Sequence, residues 1–279
     1  MSEPVDNWRS VAAGWERQRS LFWDAAHPVS ERLVELLDPQ PGDKVLELAA
    51  GPGDTGLLAA TSLAPSGHLV STDFAQEMVD AARRRAAELG LGDELVSFGL
   101  EDMTSLSFED GSFDGVVCRW GLMLVPDIPA AAGEIARVLR RGGRTALAVW
   151  ADPDDNDWMT AAGRSALELG LAERPEPDSP GPFRLSREGL LAEMLGEAGL
   201  RVEVVEDVDL TWRVASLAAW WEVMQDTARS LSSILENATE EQAKAVRAGA
   251  ERRLERYVQP DGALVVPGRA RVALARRAT

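Results

Sequence analysis

The stretch Val45-Leu-Glu-Leu-Ala-Ala-Gly-Pro-Gly-Asp-Thr-Gly56 decides the fold. It begins inside Lys44–Ala49, a short and mostly apolar run whose length and flanks read as a buried strand. Gly51, Gly53 and Gly56 then follow in a GxGxxG pattern. Glycine at those three places permits a tight turn, close approach of backbone to a ligand, and close packing of the next helix on the strand. Alone the pattern is weak evidence, because any tight strand-to-helix turn favours glycine.

Downstream the texture repeats. Gly67–Asp73 reads as a second strand and Ala75–Leu89 as a helix. Glu94–Gly99 and Phe113–Arg119 read as the third and fourth strands. Pro129–Leu139 is the next helix, and the turn Arg141-Gly142-Gly143 introduces a fifth strand, Gly143–Trp150. Strands separated by helices of this length imply a parallel sheet with right-handed crossovers. Upstream, residues 1–40 read as helical, with Trp8, Val11, Trp15, Leu21 and Phe22 as an apolar stripe. His27-Pro28 is expected to break that run before Val29–Leu37 resumes it.

Beyond Trp150 the acidic run Asp152–Asp157 and the proline-rich run Arg174–Pro182 read as loops. Ser186–Ala198 reads as a helix and Arg201–Val208 as a sixth strand. A helical stretch, Ser216–Tyr257, follows, and Ala263–Leu274 reads as one or two strands broken at Pro267-Gly268. The expected organisation is an N-terminal helical cap over 1–40, an α/β core over 41–150, and a remainder over 151–279. That remainder completes the sheet and carries a helical lid over about 211–257.

Composition narrows the partners. The 279 residues carry 46 acidic against 29 basic side chains, a formal charge of -17, which repels both a phosphate backbone and anionic headgroups. Arg83, Arg84 and Arg85 read as a solvated helix face. Cys118 is the single cysteine and His27 and His68 the two histidines, so neither an intramolecular disulfide nor a zinc site is expected. The first residues lack a signal-peptide pattern and no run has the length of a membrane span, which leads to the expectation of a cytoplasmic protein without membrane insertion. A homodimer is left open.

Two carboxylates bear on the ligand. Asp73 ends the second strand, 20 residues beyond Gly53, where it could accept from both ribose hydroxyls of a nucleotide. Glu47 lies inside the first strand, where a dinucleotide-binding strand stays apolar. A buried acid there is costly unless it faces something polar or cationic. The ammonium of a methionine moiety, directly or through water, suits it; satisfaction by backbone donors is the alternative. The helix start after the glycines offers free N–H groups to an anion, either a pyrophosphate or an amino-acid carboxylate.

VLELAAGPGDTG (45–56), VSTDF (70–74), LEDM (100–103), FDGVVCRWGLMLVPD (113–127) and RRGGRTALAVW (140–150), in that order, resemble the motifs of class I S-adenosylmethionine-dependent methyltransferases. The nearest subgroup is the ubiquinone- and menaquinone-biosynthesis type. The resemblance is strong over about residues 8–150 and loose beyond. It implies a doubly wound, mostly parallel seven-stranded sheet with S-adenosylmethionine as cofactor. It also implies that Glu47, Ala49, Gly51 and Gly53 line the methionine part, and that Asp73 holds the ribose. Phe74 and Met78 would lie near the adenine, Asp102 would accept from its amino group, and Met103 would sit beside it. Arg119 and Trp120 would end the fourth strand on the ligand side, and Trp15 would close over the cofactor. Ordinary packing explains Met78, Met103 and Trp15 as well, and a turn role explains Asp102.

The implied reaction is direct displacement at the sulfonium methyl toward an O, N or C nucleophile of a small molecule, with the protein aligning reactants and excluding water. His27 is the candidate base, by kind of residue; packing ahead of Pro28 is the other reading. Trp150, Trp158, Trp212, Trp220 and Trp221 outside the motifs suggest either a hydrophobic acceptor or glue for the insertion. Rival readings are an NAD(P)-dependent oxidoreductase and a non-methylating protein that keeps the cofactor fold.

Overall fold

A computed structural model describes residue 14 and residues 17–176 and 178–279. Trp15, Trp8 and Val11 lie outside the described residues. The described chain forms two compact units. The larger takes His27–Ala151, Asp178–Val208 and Ala270–Thr279; the smaller takes the stretch up to Ala26, Asp152–Pro177 and Asp209–Arg269.

Seven strands form one sheet in the order β3-β2-β1-β4-β5-β7-β6. They are β1 (Lys44–Glu47), β2 (His68–Asp73), β3 (Val96–Leu100), β4 (Phe113–Arg119), β5 (Leu139–Trp150), β6 (Leu200–Val214) and β7 (Leu264–Arg277). β1 through β5 pair in parallel, and β7 runs antiparallel to β5. This is the Rossmann-like methyltransferase arrangement. The chain lays down β1, β2 and β3 in one direction and returns to place β4 on the other flank of β1. The crevice between β1 and β4 at their carboxyl ends is therefore the topological switch point, where open α/β sheets collect ligands. Val45, Leu46, Val116 and Val117 are all buried, as parallel strands covered on both faces require.

The helices of the larger unit begin as local chemistry directs. α2 (Asp54–Leu63) starts from Gly53 at φ 84°, a left-handed conformation that glycine adopts without strain, and carries Asp54 in its first turn. α3 (Gln76–Glu88) follows β2. α4 (Ile128–Val138) is capped by Asp127, whose side chain accepts from the Ala130 N–H, with proline in the first turn. α6 (Leu190–Glu197) starts later than the sequence suggests.

α1 (Arg19–Leu37) departs from expectation: it runs straight through Pro28. Proline removes one N–H bond and was expected to stop the helix. Ala25, Ala26, Val29 and Leu33 are fully buried around it, and that packing holds the helix together. Likewise β7 is one continuous strand across Pro267-Gly268, with residues 270–276 paired to β5. The turn Arg141-Gly142-Gly143 falls inside β5, as an irregularity in its register against β4.

In the smaller unit, α5 (Asp157–Glu168) was not legible behind its acidic prelude. The expected helical stretch is three helices: α7 (Leu217–Thr227), α8 (Arg229–Glu236) and α9 (Glu240–Leu254). Thr239 and Gln242 form a reciprocal capping box at the start of α9. Trp158, Trp212, Trp220 and Trp221 are all buried here. Trp158 stacks on Trp212 with centroids 4.9 Å apart, and the Trp220 indole N–H donates to the Trp158 carbonyl at 3.2 Å. These rings spend their surface on each other, so they glue their own unit. No helix among the described residues is long and apolar enough to cross a membrane.

Candidate functional site

The glycine turn is built by the two strands beside it. Leu48 N–H donates to the Val117 carbonyl of β4, and Ala50 N–H to the Thr72 carbonyl of β2, both at 2.9 Å. Ala49, Gly51 and Gly53 all have positive φ, at 51°, 54° and 84°. Alanine is strained in that region, and such strain recurs where a loop is shaped for a ligand. A Cβ placed on Gly51 would meet nothing within 4 Å, so the turn faces open space.

Asp73, at the end of β2, closes the turn. Its Oδ2 accepts from Gly51 N–H at 2.9 Å and its Oδ1 from Ala75 N–H at 3.0 Å. Burial raises its pKa, and the backbone donors of Gly51, Ala75 and Phe74 oppose that rise. Each carboxylate oxygen has a second acceptor direction, so two ligand hydroxyls can still be received.

Glu47 faces the same side of the sheet as its register partner Ser71. Its Oε1 accepts from Gly56 N–H and its Oε2 from the Ser71 hydroxyl, each at 2.6 Å. Protein donors therefore reach both oxygens, and Glu47 ties β1 to the first turn of α2. Burial pushes its pKa from 4.5 up to about 7, against the pull of those two bonds and of Arg119. Gly56 is needed at this tie: a Cβ there would lie 2.1 Å from Glu47 Oε2.

Arg119 ends β4. Its guanidinium donates to the Ser30 hydroxyl at 2.8 Å and lies 3.7 Å from Asp54 Oδ2. Ser30 in turn meets the Thr55 hydroxyl at 3.0 Å. Burial lowers the Arg119 pKa, while Asp54 and Glu47 raise it. Trp120 has φ 61°, lies under the Arg119 guanidinium at 5.0 Å, and stacks on Trp150 of β5 with centroids 4.0 Å apart at 15°. An aromatic pair thus sits at the carboxyl ends of β4 and β5.

Gly121 brings three segments together: a Cβ there would fall 2.4 Å from Ala49 Cβ, 2.9 Å from Cys118 Sγ and 3.2 Å from Met103 Cε. Met103 and Met78 are buried and Phe74 is half-buried. Asp102 is exposed, and its Oδ1 accepts from Thr104 N–H at 2.8 Å and from the Thr104 hydroxyl at 2.6 Å, a local turn bond. Cys118 is buried among apolar neighbours, which pushes its thiol up to about 12. His27, on α1, lies 3.0 Å from Glu31 Oε1 through its Nε2. His68 bonds to the Glu94 carbonyl and the Ser97 hydroxyl, a β2–β3 edge role.

Sequence reading missed the network from Arg119 through Ser30 and Thr55, Asp54 as its anion, and Gly121 as the spacer. The polar pair Ser71-Thr72 inside an otherwise apolar strand was the available signal for a buried polar network. Thr72 does donate to the Glu47 carbonyl at 2.7 Å.

The fold is that of class I S-adenosylmethionine-dependent methyltransferases. Residues 45–143 match the family described as a methyltransferase domain. The chain is 42% identical over 120 residues to the nocamycin O-methyltransferase of Saccharothrix syringae, covering 43% of this chain and 42% of that protein. It is 40% identical over 105 residues to the demethylmenaquinone methyltransferase of Symbiobacterium thermophilum, covering 38% and 41%. The chain thus aligns with less than half the length of these relatives. Among solved structures it resembles the 4+2 cyclase SpnF, with a TM-score of 0.56, 21% identity, and coverage of 90% of this chain and 80% of that one.

The cofactor of this class is S-adenosylmethionine, and the residues present fit it. The turn leaves open space in front of Gly51, and the buried Asp73 carboxylate keeps acceptor capacity toward that turn.

Proposed function

We propose that this chain transfers the methyl group of S-adenosylmethionine to an O, N or C nucleophile of a small, apolar and planar molecule. The observation that carries the reading is the clasp of the strained glycine turn by Asp73 at the switch point. S-adenosylmethionine supplies an electrophilic sulfonium methyl. The protein's part is to bind, orient and exclude water. Asp73 receives the ribose hydroxyls, the N–H groups at the start of α2 receive the amino-acid carboxylate, and Ala49, Gly51 and Gly53 line its path. Glu47 biases the turn electrostatically toward the cationic amine. Phe74, Met78 and Met103 form the apolar side toward the adenine, with Asp102 at its rim.

The stacked Trp120 and Trp150 support a planar acceptor. His27 is the proposed base, with Glu31 stabilising the imidazolium that forms when it takes the acceptor's proton. The strongly acidic composition supports a small molecule over a nucleic acid.

A second reading has a specific observation behind it: a cyclase shares this fold, so retention of the fold does not fix methyl transfer. Calorimetric titration with S-adenosylhomocysteine, NADH and NADPH tests the cofactor. A screen with methyl-labelled cofactor against quinols, phenols and amines tests the transfer. Binding of S-adenosylhomocysteine with label incorporation supports the first reading; binding with no labelled product from any class favours the second.

A further inference from the structure

The smaller unit holds a cleft of about 610 Å³ lined by Arg164, Leu167, Glu168, Ala172, Arg174 and Arg253. Arg164, Leu167 and Glu168 are spaced i, i+3 and i+4 on α5, so they share one helix face. Arg253 reaches the cleft from the last turn of α9. The two helices approach closely because Gly249 has no side chain; a Cβ there would lie 2.1 Å from Ser165 Oγ. Ala172 and Arg174 come from the segment after α5. The cleft has the size of a small-molecule site and one apolar wall, from Leu167 and Ala172.

Its charge runs against the chain. Acidic residues outnumber basic ones by 46 to 29 over the sequence, whereas three guanidiniums and one carboxylate line this cleft. Arg164 is drawn back by Asp154 and, at 3.7 Å, by Asp157. Arg253 pairs with Glu168, yet its Nε–H is covered and has no acceptor among the described residues. Arg174 is exposed and has no hydrogen bond or ion pair among the described residues. A covered donor without an acceptor and an unpaired guanidinium at the same concavity leave positive potential unspent, and a cleft concentrates that potential.

We propose that this cleft is a binding site for a small molecule carrying a doubly charged oxyanion, phosphate or carboxylate, with a short apolar portion against Leu167 and Ala172. The planar fork of Arg174 supplies a bidentate contact to such a group, which a lysine ammonium could not, and Arg253 adds its charge beside it. Glu168 then acts as the competitor that holds Arg253 until the ligand takes its place. The site is independent of the glycine turn and does not rest on the methyltransferase reading.

The test is isothermal titration of the full chain with inorganic pyrophosphate and, separately, with citrate, at matched ionic strength. Saturable one-to-one binding of either probe is expected, and which one saturates tells phosphate from carboxylate recognition. Arg174→Ala and Arg253→Gln are each expected to weaken it at least about tenfold, the scale of one lost charge-assisted contact. Arg213→Ala, whose guanidinium faces Asp261 outside the cleft, should leave it unchanged. Arg174 makes no hydrogen bond or ion pair among the described residues, so its removal is expected to keep the fold, which circular dichroism checks. S-adenosylhomocysteine binding should be the same in every variant, which separates failure here from failure of the cofactor reading. Absence of saturable heat with both probes, or unaltered affinity in a folded Arg174→Ala, overturns the proposal.

Discussion

Asp73 Oδ2 accepts the Gly51 N–H at 2.9 Å, so the acid at the end of β2 is also the clasp of the turn that follows β1. Its second oxygen, on Ala75 N–H, orders the entry to α3. One carboxylate thereby fixes two segments of the proposed cofactor site before any ligand arrives. Replacing Asp73 with alanine should weaken S-adenosylhomocysteine binding by about 1–3 kcal/mol, the worth of charge-assisted hydrogen bonds to the sugar. Calorimetry checks this, and an unchanged affinity would remove Asp73 from the site.

Glu47 predicts a pH dependence whose sign follows from burial. Its folded pKa of about 7 stands above the ordinary 4.5. Below pH 4.5 both folded and unfolded chains hold the proton. Between 4.5 and 7 the folded chain holds a proton that the unfolded chain has lost, so stability falls as pH rises through that window. Above 7 the full cost of an ionised, buried carboxylate is present, on the order of 3 kcal/mol. The groups facing Glu47 are Ser71, the Gly56 N–H, Arg119 and Asp54. Glutamine at this position still accepts from Gly56, so Glu47→Gln should flatten the loss of stability between pH 5 and 8 relative to the parent chain. Urea unfolding at several pH values measures it; parallel slopes in both chains would sink the assignment.

Gly121 predicts a long-range effect of a single methyl group. Its absent side chain leaves room for Ala49 in the turn, Cys118 in β4 and Met103 after β3. Gly121→Ala should destabilise the chain by about 1–3 kcal/mol through overpacking and displace Ala49. Cofactor affinity should fall with it, although residue 121 lies outside the GxGxxG turn. Thermal unfolding and a cofactor titration read the two effects separately. Retained affinity in a destabilised variant would show that the turn does not depend on this contact.

Legibility in the sequence followed the kind of force at work. β4 was expected at Phe113–Arg119 and is found there, because a buried parallel strand bounded by turn residues carries its own signal. Asp73 and the glycines were legible because backbone geometry restricts which residues serve. The helix through Pro28 was not, since local propensity argued for a break and burial of Val29 and Leu33 overrode it. α5 was hidden because the run leading into it, Asp152–Asp157, has loop composition while its buried face is mostly alanine and tryptophan. Arg119 was placed at the right strand end, but its bonds to Ser30 and toward Asp54 come from segments distant in sequence. No local pattern announces such a partnership.

That partnership yields the last prediction. Arg119 is the cation between Asp54, at the start of α2, and Glu47, at the end of β1. Removing it takes a positive charge away from two buried carboxylates. Arg119→Met should therefore cost about 3 kcal/mol or more of stability, as expected when one member of a buried pair is lost. Asp54→Asn alone costs less, because Arg119 keeps Ser30 and Glu47. The double variant should be less destabilised than the sum of the two, with a coupling on the order of 1–2 kcal/mol. Denaturant unfolding of the four chains measures that coupling. Strict additivity would mean that the 3.7 Å approach carries no interaction, and that the link from Arg119 to α2 runs through the Ser30 and Thr55 hydroxyls instead.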